Sequence, residues 1–151
     1  MKNDVVPVQI RGILPANSGC ALFVGNDEKD FVINVEPQMG RVICDCLRNE
    51  PKERPLTHDL INRVFQGFGI TVERVVITDL KNSTYFARLI LQQQNEVARK
   101  IVELDARPSD CLALAAAQKK PIFVSAPLFE LVEDMSEVLN KMNESGEAEA
   151  D

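Results

Sequence analysis

Apolar residues alternate along the first third of the chain. Val6, Val8 and Ile10 share one parity, and Phe23 and then Val32 and Ile33 fall in two further short apolar runs, with Pro15–Gly19 and Gly25–Glu28 between them. Period-two patterning bounded by Gly, Pro, Asn and Asp predicts strands at about 5–14, 20–25 and 30–35, a β-meander. After Pro37 the spacing changes, and Ile43, Cys44 and Leu47 form a short helical stripe that breaks at Asn49-Glu50-Pro51. The segment Pro51–Pro55 is polar and proline-bound, which predicts a loop.

Thr57 reads as an N-cap, and Ile61, Val64, Phe65 and Phe68 recur at helical spacing until Gly67-Phe68-Gly69, so a second helix is expected over about 57–67. The β-branched and aromatic residues of 70–79 and 85–91, joined by a turn over 81–84, predict a long hairpin. After a polar turn at 92–95, residues 100–105 add a third strand. Pro108 sits where a helix has its first residue, and Cys111–Ala117 is the strongest helix former in the chain. A short strand is expected at 121–125. Leu128, Leu131, Val132, Met135, Val138, Leu139 and Met142 then predict a fourth helix. From Asn143 to Asp151 no aliphatic residue is larger than Ala, so the reading is one domain over 1–142 and a disordered acidic tail over 143–151. Hairpins mixed with helices, without strict βαβ alternation, give an α+β class: a single domain with a mixed, largely antiparallel sheet and about four helices.

Composition narrows the picture. At 151 residues, 45% hydrophobic and 26% charged, the chain is one ordinary globular domain, and no apolar run approaches the roughly 20 residues that span a bilayer. Nothing in Met1–Asp4 resembles a secretory leader, so a cytoplasmic location and no membrane partner are expected. Cys20, Cys44, Cys46 and Cys111 show no CxxC pair or zinc-finger spacing and read as reduced, mostly buried thiols. Cys44 and Cys46 would share a face only on a strand. No GxGxxG or GxxxxGK[ST] occurs, which argues against a doubly wound nucleotide fold. The net charge of −6 excludes a broad electrostatic coat for nucleic acid. Four acids, Glu144, Glu147, Glu149 and Asp151, lie in the expected tail, and removing them from −6 leaves −2, a balance that still permits a small phosphate site working through a cation.

Three polar clusters sit at element ends: Arg54 through Asp59, Asp79 beside the turn with Thr84, and Asp105 through Asp110. Thr57, Asp59, Ser109 and Asp110 are residue types that helix N-termini favour on structural grounds alone. The same inventory suits phosphodiester hydrolysis if the clusters converge. Asp59, Asp79, Asp105 and Asp110 would hold a divalent cation, Mg²⁺ or Mn²⁺. His58, with Asp59, Asp110 and Arg107, would carry proton transfer and charge stabilisation, and Arg54, Thr84 and Ser109 would bind substrate phosphate.

At these same residues the chain resembles a known family. The segments Arg54–Ile61 (RPLTHDLI), Val75–Leu91 (VVITDLKNSTYFARLIL) and Glu103–Ser125 (ELDARPSDCLALAAAQKKPIFVS) are similar to the three signature blocks of the bifunctional nuclease family, a domain of bacteria, archaea and plants. The likeness runs from about Val5 to Met142, with Cys111 where an alanine is usual. Its polar positions map here to Arg54, Thr57, His58, Asp59, Asp79, Thr84, Asp105, Arg107, Ser109 and Asp110. The resemblance implies a nuclease acting on RNA or DNA. The alternative of a different class is a non-catalytic binding or regulatory module whose signature residues are caps and ion pairs. A homo-oligomer is expected in either case, because strands such as Tyr85–Leu91 leave an edge to cover.

Overall fold

The structure is a computed structural model and describes residues 4–146. Its seven strands are β1 (Val5–Pro15), β2 (Cys20–Gly25), β3 (Asp30–Val35), β4 (Ile70–Lys81), β5 (Thr84–Gln94), β6 (Arg99–Ala106) and β7 (Ile122–Ser125). They make one sheet in the order β3-β2-β1-β7-β4-β5-β6, antiparallel throughout except for the parallel pair β4–β7. The helices are α1 (Pro37–Arg48), α2 (Thr57–Gly67), α3 (Pro108–Gln118), α4 (Ala126–Leu131) and α5 (Ser136–Ser145). The class is α+β with a mixed, largely antiparallel sheet, as the patterning predicts.

The sheet is not flat. Five strand spacings separate β3 from β5, about 24 Å in a flat sheet, yet the rings of Phe31 on β3 and Tyr85 on β5 lie 5.9 Å apart. Register shifts at Ile10/Gly12 in β1 and at Val72/Arg74 and Ile77/Asp79 in β4 supply the bends, since a bulged strand kinks and twists more strongly. The curl closes a core in which α3 is sunk. Cys111 through Ala116 are all buried, covered by β4 and β5 on one side and by α1 and α2 on others. A helix without a polar stripe needs such all-round cover, and its alanines allow close approach. Burial pushes the Cys111 thiol up to about 12, with the charges of Asp110 and Asp105 adding to it. All four cysteines are free, and Cys44 and Cys46 lie on α1, not on a strand.

Three expectations are corrected. The hairpin strand Tyr85–Leu91 leaves no edge, because β5 is interior and the terminal strands are β3 and β6. The helix expected across 128–142 is two helices, broken at Val132–Met135. Leu128 and Phe129 of α4 join the main core, whereas Leu139 and Met142 of α5 pack with Phe23 in a separate cluster against the other face of the sheet. One straight helix could not serve both. The break is held by Lys29, whose Nζ donates to the carbonyls of Phe129 (2.6 Å) and Val132 (3.1 Å), and by Asp134, whose carboxylate accepts the Ser136 N–H (3.0 Å). Finally, α5 runs to Ser145 and so includes Asn143 and Glu144 of the expected tail, while Glu147, Glu149 and Asp151 lie outside the described residues. Among the described residues no helix is long and apolar enough to cross a membrane.

Candidate functional site

The first turns of α2 and α3 meet. His58 is 9% exposed, and its Nε2 lies 3.1 Å from Asp110 Oδ1, a pairing across 52 residues of chain. Arg107, the residue before Pro108, donates from Nε to Asp110 Oδ2 (2.9 Å) and from Nη2 to Oδ1 (3.3 Å), and its Nη1 stands 3.8 Å from Glu36 Oε1. Burial pushes the Asp110 carboxyl up, but the hydrogen bonds from Arg107 and His58 and the charges of both outweigh it and hold the carboxyl below its ordinary value. Asp110 is therefore ionised at neutral pH and can only accept, so His58 Nε2 carries the proton of this bond. In neutral His58 the lone pair is then on Nδ1, which has no hydrogen-bond partner among the described residues.

A carboxyl lowered on folding contributes stability that is present above its unfolded value and lost as pH falls through its folded value. Thermal melts taken from about pH 5 to about pH 2 are expected to fall more steeply for the wild type than for Asp110→Asn. Parallel curves would show that Asp110 titrates alike in the folded and unfolded chain.

Asp59 stands apart from this pair. The N-cap of α2 is Leu56, not the expected Thr57, and a leucine offers no acceptor. Asp59, three residues on, reaches back with Oδ2 to the Leu56 N–H (2.8 Å), the reciprocal half of a capping box. Its Oδ1 accepts from Lys52 Nζ (3.1 Å). Burial raises this carboxyl, and the Leu56 N–H, Lys52 and the Arg63 charge together bring it lower than usual. Asp59 and Arg54 line a hollow of about 360 Å³ with Lys52, Asn62 and Arg63.

Ser109 and Thr84 belong to a different depression. It has a volume of about 750 Å³ and is lined by Glu36, Ser83, Thr84, Tyr85, Arg107 and Ser109 among others. The β4–β5 turn projects Thr84 there through Asn82 and Ser83, whose φ values of 52° and 64° are those of a tight two-residue hairpin turn. The N-termini of α1 and α3 both open onto this depression. Each begins with a proline, and neither N-cap, Glu36 nor Arg107, supplies a side-chain capping bond. Free N–H groups at two helix starts favour an anion. Ser109 is 92% buried at 8% exposure, and its hydroxyl has no hydrogen-bond partner among the described residues. A hollow of similar size, about 730 Å³, lies at the opposite end of α3 and contains none of the residues singled out from the sequence.

The four carboxylates expected to share a cation do not gather. Asp59 caps α2, Asp79 is exposed on β4 opposite Phe86, Asp105 is exposed on β6 opposite Arg88, and Asp110 is engaged with His58 and Arg107. Among the described residues no three His, Cys, Asp or Glu side chains lie close enough to hold a metal ion. The donor set therefore does not fit the expected metal centre. The structure thus brings together His58, Asp110, Arg107 and Ser109, places Thr84 in the lining of the depression with Arg107 and Ser109, and leaves Arg54, Asp59, Asp79 and Asp105 elsewhere. Glu36 was not visible as a site residue from sequence. Its signal is the one that marks Arg107: a charged residue immediately before a helix-starting proline.

The chain is similar in sequence to known proteins. A family model described as the bifunctional nuclease domain matches residues 22–136. An uncharacterized protein of Mycobacterium tuberculosis is 38% identical over 71 residues, 47% of this chain and 39% of that protein. Bifunctional nuclease 1 of Oryza sativa subsp. japonica and Bifunctional nuclease of Oryza minuta are each 32% identical over 80 residues, 52% of this chain and 24% of theirs. The chain thus spans well under half the length of these curated relatives.

Proposed function

We propose that this chain, which belongs to the bifunctional nuclease domain family, hydrolyses phosphodiester bonds of RNA or DNA at the junction of α2 and α3. The observation that carries the reading is the pair of buried His58 and half-buried Asp110, held by Arg107, beside a depression onto which two helix N-termini and the unpartnered Ser109 hydroxyl open. The relatives named bifunctional nucleases support the substrate class. In this reading the N–H groups of α3 and the Ser109 hydroxyl seat a phosphate, with Thr84 in the same lining. Asp110 fixes the His58 ring so that Nδ1 can take a proton from attacking water and return it to the leaving oxygen. The exposed face of the Arg107 guanidinium offsets charge that builds on the phosphoryl oxygens.

Incubation of purified protein with single-stranded RNA and DNA, with EDTA and with added Mg²⁺ or Mn²⁺, tests the reading. The cation arm is included because Mg²⁺ keeps several waters and can be bound through one or two carboxylates plus substrate phosphates. Cleavage that tracks the protein through purification is expected, and its absence under every cation condition would overturn the proposal.

Two observations favour a second reading, a binding or regulatory module without turnover. His58 is largely enclosed, and the charges around it are already matched within the chain: Asp110 by Arg107, Arg107 by Glu36, Asp59 by Lys52. This reading expects the variants of these residues to change stability while no hydrolysis is ever seen.

A further inference from the structure

We propose that the hollow on α2 lined by Arg54, Asn62 and Arg63 is a second phosphate site, which holds the backbone of a single-stranded RNA or DNA beside the nucleotide being cut. The site presupposes the reaction read at the junction of α2 and α3, whose own surroundings do little to attract a polyanion. The depression beside Ser109 has one acid and one base in its lining, Glu36 and Arg107, and the whole chain carries −6. Affinity for a nucleic-acid strand comes mainly from cations set against its phosphates, so an excess of positive charge is needed nearby.

The hollow, about 360 Å³ in volume, supplies that excess: Lys52, Arg54 and Arg63 line it against Glu53 and Asp59. Asp59 is spent within the chain, since its Oδ2 accepts the Leu56 N–H (2.8 Å) and its Oδ1 accepts from Lys52 Nζ (3.1 Å). With Lys52 matched to Asp59, two guanidiniums remain against one exposed glutamate. Arg54 and Arg63 are themselves exposed, and among the described residues neither makes a hydrogen bond or an ion pair; Arg63 only lends its charge to hold the Asp59 carboxyl down. A free guanidinium presents its N–H donors in a planar fork that matches phosphate oxygens.

Asn62 adds a donor whose direction the fold fixes. Gln118 Oε1 accepts the Val72 N–H (3.0 Å), so Gln118 Nε2 is the donating end, and it bonds Asn62 Oδ1 (2.9 Å). The Asn62 Nδ2 group, with no acceptor among the described residues, is therefore the end left to the hollow. Asn62 also ties the hollow to the reaction centre. It meets Gln118, the last residue of α3, while His58, one turn earlier on α2, meets Asp110 in the first turn of α3. His58 and Asn62 are separated by about 6 Å of helix, and stacked nucleotides follow one another at about 3.4 Å, so a strand leaving His58 reaches Asn62 within about two nucleotides.

Anisotropy of a fluorescent oligothymidylate, titrated with the full chain in EDTA at several salt concentrations, tests the site apart from turnover. Arg63→Glu and Asn62→Asp are each expected to raise Kd about tenfold or more, because a carboxylate then stands where a phosphate oxygen is received. A carboxylate at position 62 still accepts from Gln118 Nε2, so the circular dichroism spectrum is expected to be unchanged. Arg63→Lys is expected to keep most of the binding that Arg63→Glu loses, since the charge is retained. Arg54→Ala combined with Arg63→Ala is expected to flatten the slope of log Kd against log salt by about 0.7, the loss of one phosphate contact on a single strand. Lys120→Glu, the same reversal of charge in the hollow at the opposite end of α3, is expected to bind as the wild type does. A wild type that does not bind the strand, Arg63→Glu or Asn62→Asp binding like the wild type, an unchanged salt slope, or an equal loss in Lys120→Glu would each overturn the proposal. Absence of cleavage with this pattern of binding intact would count against the reaction centre and not against the phosphate site.

Discussion

Replacing His58 by alanine is expected to lower phosphodiester hydrolysis by roughly 10²–10⁴-fold, the usual contribution of a positioned acid–base group. Asp110→Ala is expected to lose nearly as much, because Asp110 fixes the ring and the tautomer that leaves Nδ1 unprotonated. The double variant should be scarcely worse than either single one, since residues that act as a unit lose their effect together. Asp59→Ala separates the two halves of the RPLTHD segment. Its carboxylate bonds Leu56 N–H and Lys52 and not His58, so cap loss of about 0.5–2 kcal/mol should appear in the melting temperature while the rate stays within a few-fold. Initial rates on a fluorescent single-stranded substrate, normalised to folded protein, decide the matter. If His58→Ala and Asp110→Ala cleave at the wild-type rate, the junction of α2 and α3 is not the reaction centre.

Local structure was largely legible in the sequence because it is written in periods and punctuation. The strands at 5–15, 20–25 and 30–35 alternate, and α3 begins where Pro108 predicts. What could not be read is whatever depends on distant parts of the chain meeting. The curl that brings Phe31 to Tyr85 leaves no periodic trace, and neither does the change of sheet face that splits 128–142 into α4 and α5. Thr57 looked like the cap from its residue type, but the backbone turns helical one position earlier, so the cap falls on Leu56 and the compensating bond on Asp59. The polar positions of the site were visible as types. Their grouping was not: equal-looking aspartates at four element ends suggested one cation site, whereas the fold gives Asp59 and Asp110 to different partners and leaves Asp79 and Asp105 on the surface of the sheet.

Arg11→Met is expected to be the most destabilising of the substitutions considered, and it lies far from His58 in purpose. Asp30 opens the strand expected over 30–35, is only 3% exposed, and joins the start of β3 to the link before α5. Its N–H donates to Asp134 Oδ1 and to Ser136 Oγ (each 3.2 Å), and its Oδ2 accepts from Ser136 Oγ (3.1 Å). Oδ1 receives no aligned hydrogen bond, and the cation beside it is Arg11, whose Nε stands 3.0 Å away. Gly25 makes room for this arrangement, since a Cβ there would come within 3 Å of the Lys29 carbonyl and the Asp30 carboxylate. Removing the guanidinium while keeping the buried carboxylate leaves an uncompensated charge, which costs about 3–5 kcal/mol and, for a chain of this size, lowers Tm by roughly 6–20 °C. Replacing both partners, Arg11→Met with Asp30→Asn, removes the charge as well as its counter-ion, so a substantial part of that loss should return. Calorimetry of the two variants separates the outcomes. Equal melting temperatures for Arg11→Met and the wild type would mean that Asp30 is held by Ser136 and the backbone without help from Arg11.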